Sequence, residues 1–170
     1  SEFIEPFGLD ENWIDVTGSR QSGEEIANEI RRRVKFELGI TVSVGVSWNK
    51  IFAKFGSDYK KPDAVTVINK ENYKDIVWKS PCSDLLFVGR STAKKLNSYG
   101  IYTVGDIANS DCGFLRSVFG KNGEMLYRNA NGLNASPVAR VDDEQAAKSI
   151  GNSATTPRDM VNHADVKAVM

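Results

Sequence analysis

Two adjacent carboxylates, Asp10 and Glu11, lie near the hinge between two short strand patterns at the start of the chain. Successive side chains on a regular strand point to opposite faces, so adjacent carboxylates can share one ion only at a turn or a bulge. Mg²⁺ prefers oxygen ligands and is usually held by one or two carboxylates together with substrate phosphates. The pair therefore suits a Mg²⁺ site, while an Asp-Glu pair by itself is also typical of an ordinary turn.

A second group consists of four lysines, Lys50, Lys54, Lys60 and Lys61, which accompany a helical pattern. Lys50 and Lys54 are one turn apart and share a helix face, and the other two lysines follow the helix. The free amide groups at the start of such a helix are suited to a phosphate. On charge alone, a solvated helix face is the favoured interpretation, and an anion-binding surface is the alternative.

A third group surrounds a glycine turn that leads into a basic helix and looks like a helix-hairpin-helix. Gly89 lets the backbone turn tightly, and the amides that begin the next helix can bind a DNA phosphate. The candidate DNA-binding residues are Gly89, Ser91, Thr92, Lys94 and Lys95. An ordinary pair of helices joined by a short loop is the structural alternative.

The elements that must position these residues follow from the hydrophobic patterns. Residues 1–68 read as β-β-α-β-α-β, which predicts a layered sheet with helices packed on one face. The first helix is predicted from Ser22 to Leu38, because Ser22 and Glu25 form a capping box and Gly39 can end the helix. The second helix is predicted over residues 49–59, between strands over 40–46 and 64–68.

From about residue 69 the pattern changes to short helices separated by Gly and Ser. This change predicts a separate all-α unit over residues 69–137. A polar, acidic linker is predicted over 138–147, and residues 148–170 begin a third, incomplete α/β unit with a strand near 147–156 and the start of a helix. The predicted fold class is therefore α+β.

Charge and composition exclude several classes of protein. The 22 basic and 22 acidic residues give a formal net charge of zero, which argues against a pure nucleic-acid coat protein. Residues 76–140 nevertheless carry eight Lys or Arg against four carboxylates, a net charge of +4. No apolar run is long enough for a spanning helix, and two cysteines without paired spacing favour a reducing cytoplasm.

Taken in order, these motifs resemble the DinB/UmuC-like group of Y-family DNA polymerases. Residues 5–17, with the sequence EPFGLDENWIDVT, are similar to the family's Ser-Ile-Asp-Glu palm motif, with Gly-Leu in place of the usual Ser-Ile. Residues 44–54 and 58–63 resemble its second signature. Residues 148–153 resemble the start of its little-finger domain.

The resemblance implies a role for each unit and each candidate residue. Residues 1–68 would be part of the palm, 69–137 the thumb with its helix-hairpin-helix, 138–147 a linker, and 148–170 the start of the little finger. Asp10 and Glu11 would be catalytic residues and metal ligands, with two Mg²⁺ ions expected in the full-length enzyme. Lys61 would bind the incoming triphosphate.

The implied reaction is error-prone, translesion DNA synthesis by template-directed nucleotidyl transfer. The implied partners are primer–template DNA and a deoxynucleoside triphosphate, and a sliding clamp could bind only the full-length protein. In the family, a segment before the position of Ser1 supplies the first palm strand, a further metal-binding aspartate and the fingers. The isolated chain is therefore expected to be inactive.

Three other classes of protein remain as alternatives. A nucleotide cyclase with a palm-like sheet would share the carboxylate hairpin but would not need a helix-hairpin-helix. A non-catalytic DNA-binding module would use residues 69–137 alone and would have no need for the Asp-Glu pair. A protein-interaction domain does not account for the basic middle of the chain.

Overall fold

The structure is a computed structural model that describes residues 1–143, 149–153 and 155–169. Its first part follows the β-β-α-β-α-β order predicted for residues 1–68, so this prediction is confirmed. The elements are β1 (Ile4–Phe7), β2 (Glu11–Ile14), α1 (Gly23–Leu38), β3 (Val44–Val46), α2 (Lys50–Tyr59) and β4 (Val65–Val67).

The four strands form two two-stranded sheets, whereas the hydrophobic pattern predicts one layered sheet. β1 and β2 pair antiparallel, with Phe7 opposite Glu11, and β3 and β4 pair in parallel, with Val44 opposite Val65. A tight turn connects β1 to β2, and a crossover that contains α2 connects β3 to β4. Among the described residues no backbone hydrogen bond joins β2 to β3, and a cavity lies between them.

Helix α1 begins and ends where its capping residues predict. The Ser22 side chain accepts a hydrogen bond from the Glu25 N–H, and the Glu25 carboxylate accepts one from the Ser22 N–H in return. Gly39 ends the helix with φ 72°, in the left-handed region that glycine enters without a steric penalty. Helix α2 is capped in a similar way by Asn49, whose side-chain oxygen accepts from the Phe52 N–H at 2.9 Å.

Residues 69–137 form short helices and turns and add no strand to either sheet, as the change of hydrophobic period predicts. Their elements are a π-helical turn (Lys74–Trp78), a 3₁₀ turn (Cys82–Asp84), α3 (Arg90–Ser98), α4 (Val104–Asn109), α5 (Cys112–Phe119) and α6 (Lys121–Ala130).

One hydrophobic core runs through both parts of the chain. It joins Phe52 on α2 to the helical residues Leu96, Ile107 and Leu126, all of which are fully buried or nearly so. The side chains of Trp48 and Asn49 also donate hydrogen bonds to the same carbonyl oxygen, that of residue 132. The helical unit is therefore packed firmly against α2, while the domain boundary at residues 68 and 69 stays a prediction.

The segment that follows α6 returns to the first hairpin. Arg140 pairs with Phe3 in an isolated antiparallel bridge, and the Val141 N–H donates to the Glu2 carbonyl at 3.0 Å. The start of the predicted linker therefore lies along the edge of β1. Residues 144–148 lie outside the described residues.

The end of the chain differs in part from expectation. Of the strand predicted near 147–156, residues 147, 148 and 154 lie outside the described residues, and the others form no strand. A short helix, α7 (His163–Val169), lies within the segment where the start of a helix is predicted. No helix in the described part of the chain is both long and apolar enough to cross a membrane.

Candidate active site

A cavity of about 660 Å³ separates β2 from β3. One wall is an apolar face of α1 with Ile26, Ile30 and Val34, which recur at helical spacing. The charged residues that line the cavity are Asp10, Glu11, Lys54, Lys61 and Asp63. The fold thus brings the predicted metal-binding pair and the predicted triphosphate-binding lysine to one cavity.

The two carboxylates differ in their local structure. The hairpin turn covers residues 8–10, slightly earlier than predicted, so Asp10 ends the turn and Glu11 begins β2. Asp10 is exposed, and Glu11 is half-buried. Because the turn lies between the strands, the alternation of a regular strand does not separate these two side chains. Their metal-binding roles stay predictions, since the described residues contain no group of three or more metal-ligating side chains.

Lys54 connects Glu11 with the end of α2. Its Nζ lies 3.1 Å from Glu11 Oε1 and 2.5 Å from Asp58 Oδ2. The other carboxylate oxygen of Asp58, Oδ1, lies 2.8 Å from Lys61 Nζ. Positive and negative groups therefore alternate from the candidate metal site to the candidate triphosphate site.

Hydrogen bonds between the ion-pair partners favour the charged forms of Lys54 and Asp58. Burial disfavours the charged form of Lys54, but its hydrogen bonds to Asp58 and Glu11 outweigh burial and raise its pKa. Burial likewise opposes the charge of Asp58, yet the hydrogen bonds from Lys54 and Lys61 hold the pKa of Asp58 below the usual aspartate value. Both groups remain ionised at neutral pH.

The contact of Lys54 with Glu11 is a feature that the sequence interpretation missed. Its spacing to Asp58, four residues along one helix, is a local signal for an ion pair. Its contact with Glu11 joins residues that are 43 positions apart in the sequence, and no local sequence pattern indicates such a contact. Lys50, the other lysine on this face, instead pairs with Glu5 on β1 and lies outside the cavity lining.

The predicted DNA-binding residues lie on α3 and not in the cavity. Gly89 is the N-cap of α3, and no side chain caps the free amides of the first turn. Ser91 is exposed and Thr92 is half-buried. This end of α3 therefore has the exposed amides that the sequence predicts, and its binding role stays a prediction.

The two lysines of α3 are not equivalent. Lys94 is exposed and forms no ion pair with a described residue. Lys95 is also exposed, but its Nζ donates to the Val118 carbonyl at 2.8 Å and lies 5.0 Å from the centre of the Phe119 ring. Lys95 thus ties α3 to α5, a structural role that charge counting does not reveal.

Comparisons with known proteins agree with both parts of this description. The profile of the impB/mucB/samB family matches residues 1–58, and that of the DNA polymerase-iota thumb domain matches residues 83–134. DNA polymerase IV of Acetivibrio thermocellus is 54% identical over 98% of this chain and 43% of its own length. This chain belongs to the Y family of DNA polymerases.

Other Y-family proteins are similar in sequence and in structure. DNA polymerase IV of Clostridium acetobutylicum is 36% identical over 98% of this chain and 42% of its own length. The structure of DinB from Sulfolobus solfataricus superposes with a TM-score of 0.70 and 29% identity, over 81% of this chain and 42% of that one. A Y-family polymerase chimera superposes with a TM-score of 0.72 and 31% identity, over 81% and 42% of the two chains. The chain thus spans less than half the length of these relatives.

Proposed function

We propose that the full-length protein containing this chain is a translesion DNA-directed DNA polymerase. The observation that carries the proposal is the cavity that gathers Asp10, Glu11 and Lys61 beside a packed helical unit with an exposed glycine turn. Relatives named DNA polymerase IV support it. Similar solved structures described as a ternary complex with substrates and an insertion ternary complex of a DNA polymerase support a nucleotide and DNA as partners.

The donor atoms at the cavity fit Mg²⁺. Carboxylate oxygens are the ligands that this ion prefers, and Glu11 Oε2 accepts no hydrogen bond from a described residue. Asp10 and Glu11 would hold the metal, with substrate phosphates completing its ligands. Bound Mg²⁺ would supply Lewis-acid activation of the attacking hydroxyl and stabilisation of the leaving oxygen.

The chain's own residues would position the reactants. In the proposed reaction the primer 3′-hydroxyl attacks the α-phosphate of a deoxynucleotide, and the bond to the pyrophosphate leaving group breaks. Lys61, whose side chain is 55% exposed at the border of the cavity, would neutralise charge on the triphosphate. Such transfers depend mainly on positioning and electrostatics.

A complete two-metal site needs one carboxylate more than the pair on this hairpin. We infer that another part of the full-length protein supplies it, and that this part runs through the cavity between β2 and β3. Both strands have an edge that is unpaired among the described residues, and the α1 face opposite is apolar. A strand placed there would pair with both edges and cover the apolar wall.

The remaining parts of the proposal concern the units and their partners. Residues 1–68 would be palm, 69–137 thumb, 138–147 linker and 148–170 the start of the little finger. The thumb would bind primer–template DNA through Gly89, Ser91, Thr92, Lys94 and Lys95. The proposed compartment is the cytoplasm, which is consistent with the free thiols of both cysteines.

Primer extension by the full-length protein tests the proposal. With a labelled primer, a matching template and Mg²⁺, the protein should add nucleotides that the template directs. Asp10→Asn and Glu11→Gln should each lower the rate at least about 100-fold, since even residues that only support a metal ligand contribute about 10- to 100-fold. The control is Asp75→Asn, because Asp75 pairs with Lys79 on an exposed surface outside the cavity.

Two results would contradict the proposal. One is extension by the Asp10 and Glu11 variants at the rate of the Asp75 variant. The other is release of pyrophosphate from a nucleotide without any primer or template, which is the result expected of a cyclase.

A further inference from the structure

Lys54 lies in the middle of the candidate active site and is mostly buried. A lysine on a solvated helix face would instead be exposed. The Lys54 side chain is only 15% exposed, although lysines are rarely buried unless they are paired. Its ammonium contacts one carboxylate from the hairpin, Glu11, and one from its own helix, Asp58. Asp58 in turn contacts Lys61, so the contacts reach from one functional residue to the other.

The helix that carries Lys54 is fixed in the fold. Ile51, Phe52 and Phe55 on the other faces of α2 are almost fully buried in the core. The Lys54 backbone therefore has little freedom, and its two ion pairs restrict the side chain further. A group held in this way can orient a flexible partner such as a half-buried glutamate.

Lys50 provides an internal comparison. It lies one turn before Lys54 on α2, is 12% exposed and also pairs with a hairpin carboxylate, that of Glu5. Glu5 lies on β1 and does not line the cavity. The two lysines thus make similar contacts between α2 and the hairpin, and only the contact of Lys54 involves a proposed metal ligand.

We propose that Lys54 is a positioning residue of the active site, which holds the Glu11 carboxylate at the cavity and, through Asp58, holds Lys61. This inference rests on the proposed polymerase function. The ammonium contacts Oε1 of Glu11, while Oε2 accepts no hydrogen bond from a described residue. Asp58 uses one oxygen for each lysine, so a single carboxylate fixes the spacing between them.

The first test compares Lys54→Met with Lys50→Met in the full-length protein. Methionine keeps most of the length of the side chain and removes the charge. Lys54→Met should lower kcat for nucleotide addition about 10- to 100-fold, the range for residues that orient a metal ligand. Lys50→Met should leave kcat within about twofold. Lys54→Arg should recover part of the lost rate, because it restores a cation with N–H donors in a bulkier side chain.

A second measurement does not depend on turnover. Equilibrium binding of a deoxynucleotide to the protein on a dideoxy-terminated primer should weaken less in Lys54→Met than in Asp58→Asn, because Lys54 reaches Lys61 only through Asp58. In Asp58→Asn, which loosens Lys61, binding should weaken about two- to fivefold, as expected for a partly exposed ion pair. A loss mainly of kcat in Lys54→Met and mainly of affinity in Asp58→Asn is the pattern that the proposal predicts.

Coupling to Glu11 distinguishes positioning from a merely structural contact. If Lys54 acts through Glu11, adding Lys54→Met to Glu11→Gln should lower the residual rate no further. Independent, multiplying losses would overturn the inference, as would failure of arginine to recover any of the lost rate. An equal loss of kcat in Lys50→Met would also overturn it. The rate would then depend only on attachment of the hairpin to α2, and not on the contact between Lys54 and Glu11.

These outcomes are distinct from failure of the proposed function. A wild-type protein that extends primers, with Lys54→Met as active as wild type, contradicts the inference alone. A wild-type protein that extends no primer contradicts the proposed function and the inference together.

Discussion

Gly45 on β3 lies directly against Ala53 on α2. A Cβ atom built on Gly45 would stand 1.9 Å from the Ala53 carbonyl oxygen and 2.5 Å from the Ser57 amide nitrogen. Both contacts are with backbone, which cannot move aside as a flexible side chain can. The absence of a side chain at this position thus sets how closely α2, with Lys54 one residue further, approaches the strand.

Gly45→Ala should therefore destabilise the protein strongly. Overpacking at a site that cannot relax costs about 3 kcal/mol or more, and the loss should appear as a lower midpoint in urea unfolding followed by tryptophan fluorescence. Gly89→Ala is the matched control, because a Cβ there meets nothing within 4 Å. Equal midpoints for the two variants would mean that β3 and α2 can separate at little cost.

Phe87→Gly should make the protein more stable. Phe87 precedes the turn into α3 with φ 73°, a left-handed conformation that costs a residue with a side chain about 1–2 kcal/mol. Its ring is 55% exposed and lies outside the core cluster, so little packing is lost with it. Glycine loses more chain entropy on folding, about 0.5–1 kcal/mol, which leaves a net gain of up to about 1 kcal/mol.

Phe87→Ala separates the two effects. Alanine removes the ring but keeps the backbone penalty, so it should be less stable than the glycine variant in the same thermal unfolding measurement. An alanine variant as stable as the glycine variant would show that the strain of the left-handed conformation does not exceed the chain entropy that glycine loses on folding.

The part of the fold that the sequence predicts is the part set by local interactions. The capping box of Ser22 and Glu25 and the stop at Gly39 involve residues within a few positions of each other, and the structure has both. The division of four strands into two sheets is not a local property. Period-2 patterns identify strands but do not state which edges pair.

Glu5 should make stability depend on pH. The Lys50 ammonium, and less strongly the Ala139 N–H, hold the pKa of Glu5 below the usual glutamate value, against the opposing effect of burial. A carboxyl with a lowered folded-state pKa stabilises the protein above its unfolded-state value of about 4.3, and this contribution disappears as the pH falls through the folded-state pKa.

Glu5→Gln measures that contribution. At pH 7 the variant should unfold at a lower urea concentration than wild type, by about 1 kcal/mol, near the upper limit for a partly exposed pair. The difference should shrink as the pH falls below about 4 and should vanish once the pH lies below the lowered folded-state pKa of Glu5. A difference that is constant across this range would show that the charge of Glu5 is not responsible.

The candidate site was predictable only in its separate parts. The chemistry of Asp10 and Glu11 suits a cation site and their spacing also suits an ordinary turn, and the structure places both with Lys61 at one cavity. The bridge through Lys54 joins a helix to a distant hairpin, and only the tertiary fold creates it. Sequence reasoning likewise treated Lys94 and Lys95 alike, because charge counting does not show which lysine is already engaged.

That difference between Lys94 and Lys95 should appear in DNA binding by the full-length protein. Each phosphate neutralised by a cation contributes about −0.9 to the slope of log affinity against log salt, because counterions are released. Lys94 is exposed and forms no ion pair with a described residue, so Lys94→Ala should flatten the slope by about 0.9. The measurement is titration of a labelled duplex at several salt concentrations.

Lys95→Ala should behave differently. Its ammonium is bound to the Val118 carbonyl and lies over the Phe119 ring, so it is less free to neutralise a phosphate. The variant should change the salt slope by less than half as much as Lys94→Ala, and loss of the hydrogen bond should lower stability by about 1 kcal/mol. Lys61→Ala should leave the slope nearly unchanged, because the proposed partner of Lys61 is the nucleotide. Equal slopes for the Lys94 and Lys95 variants would show that DNA displaces Lys95 from Val118, and an equal effect of Lys61→Ala would mean that α3 is not the main DNA-binding element.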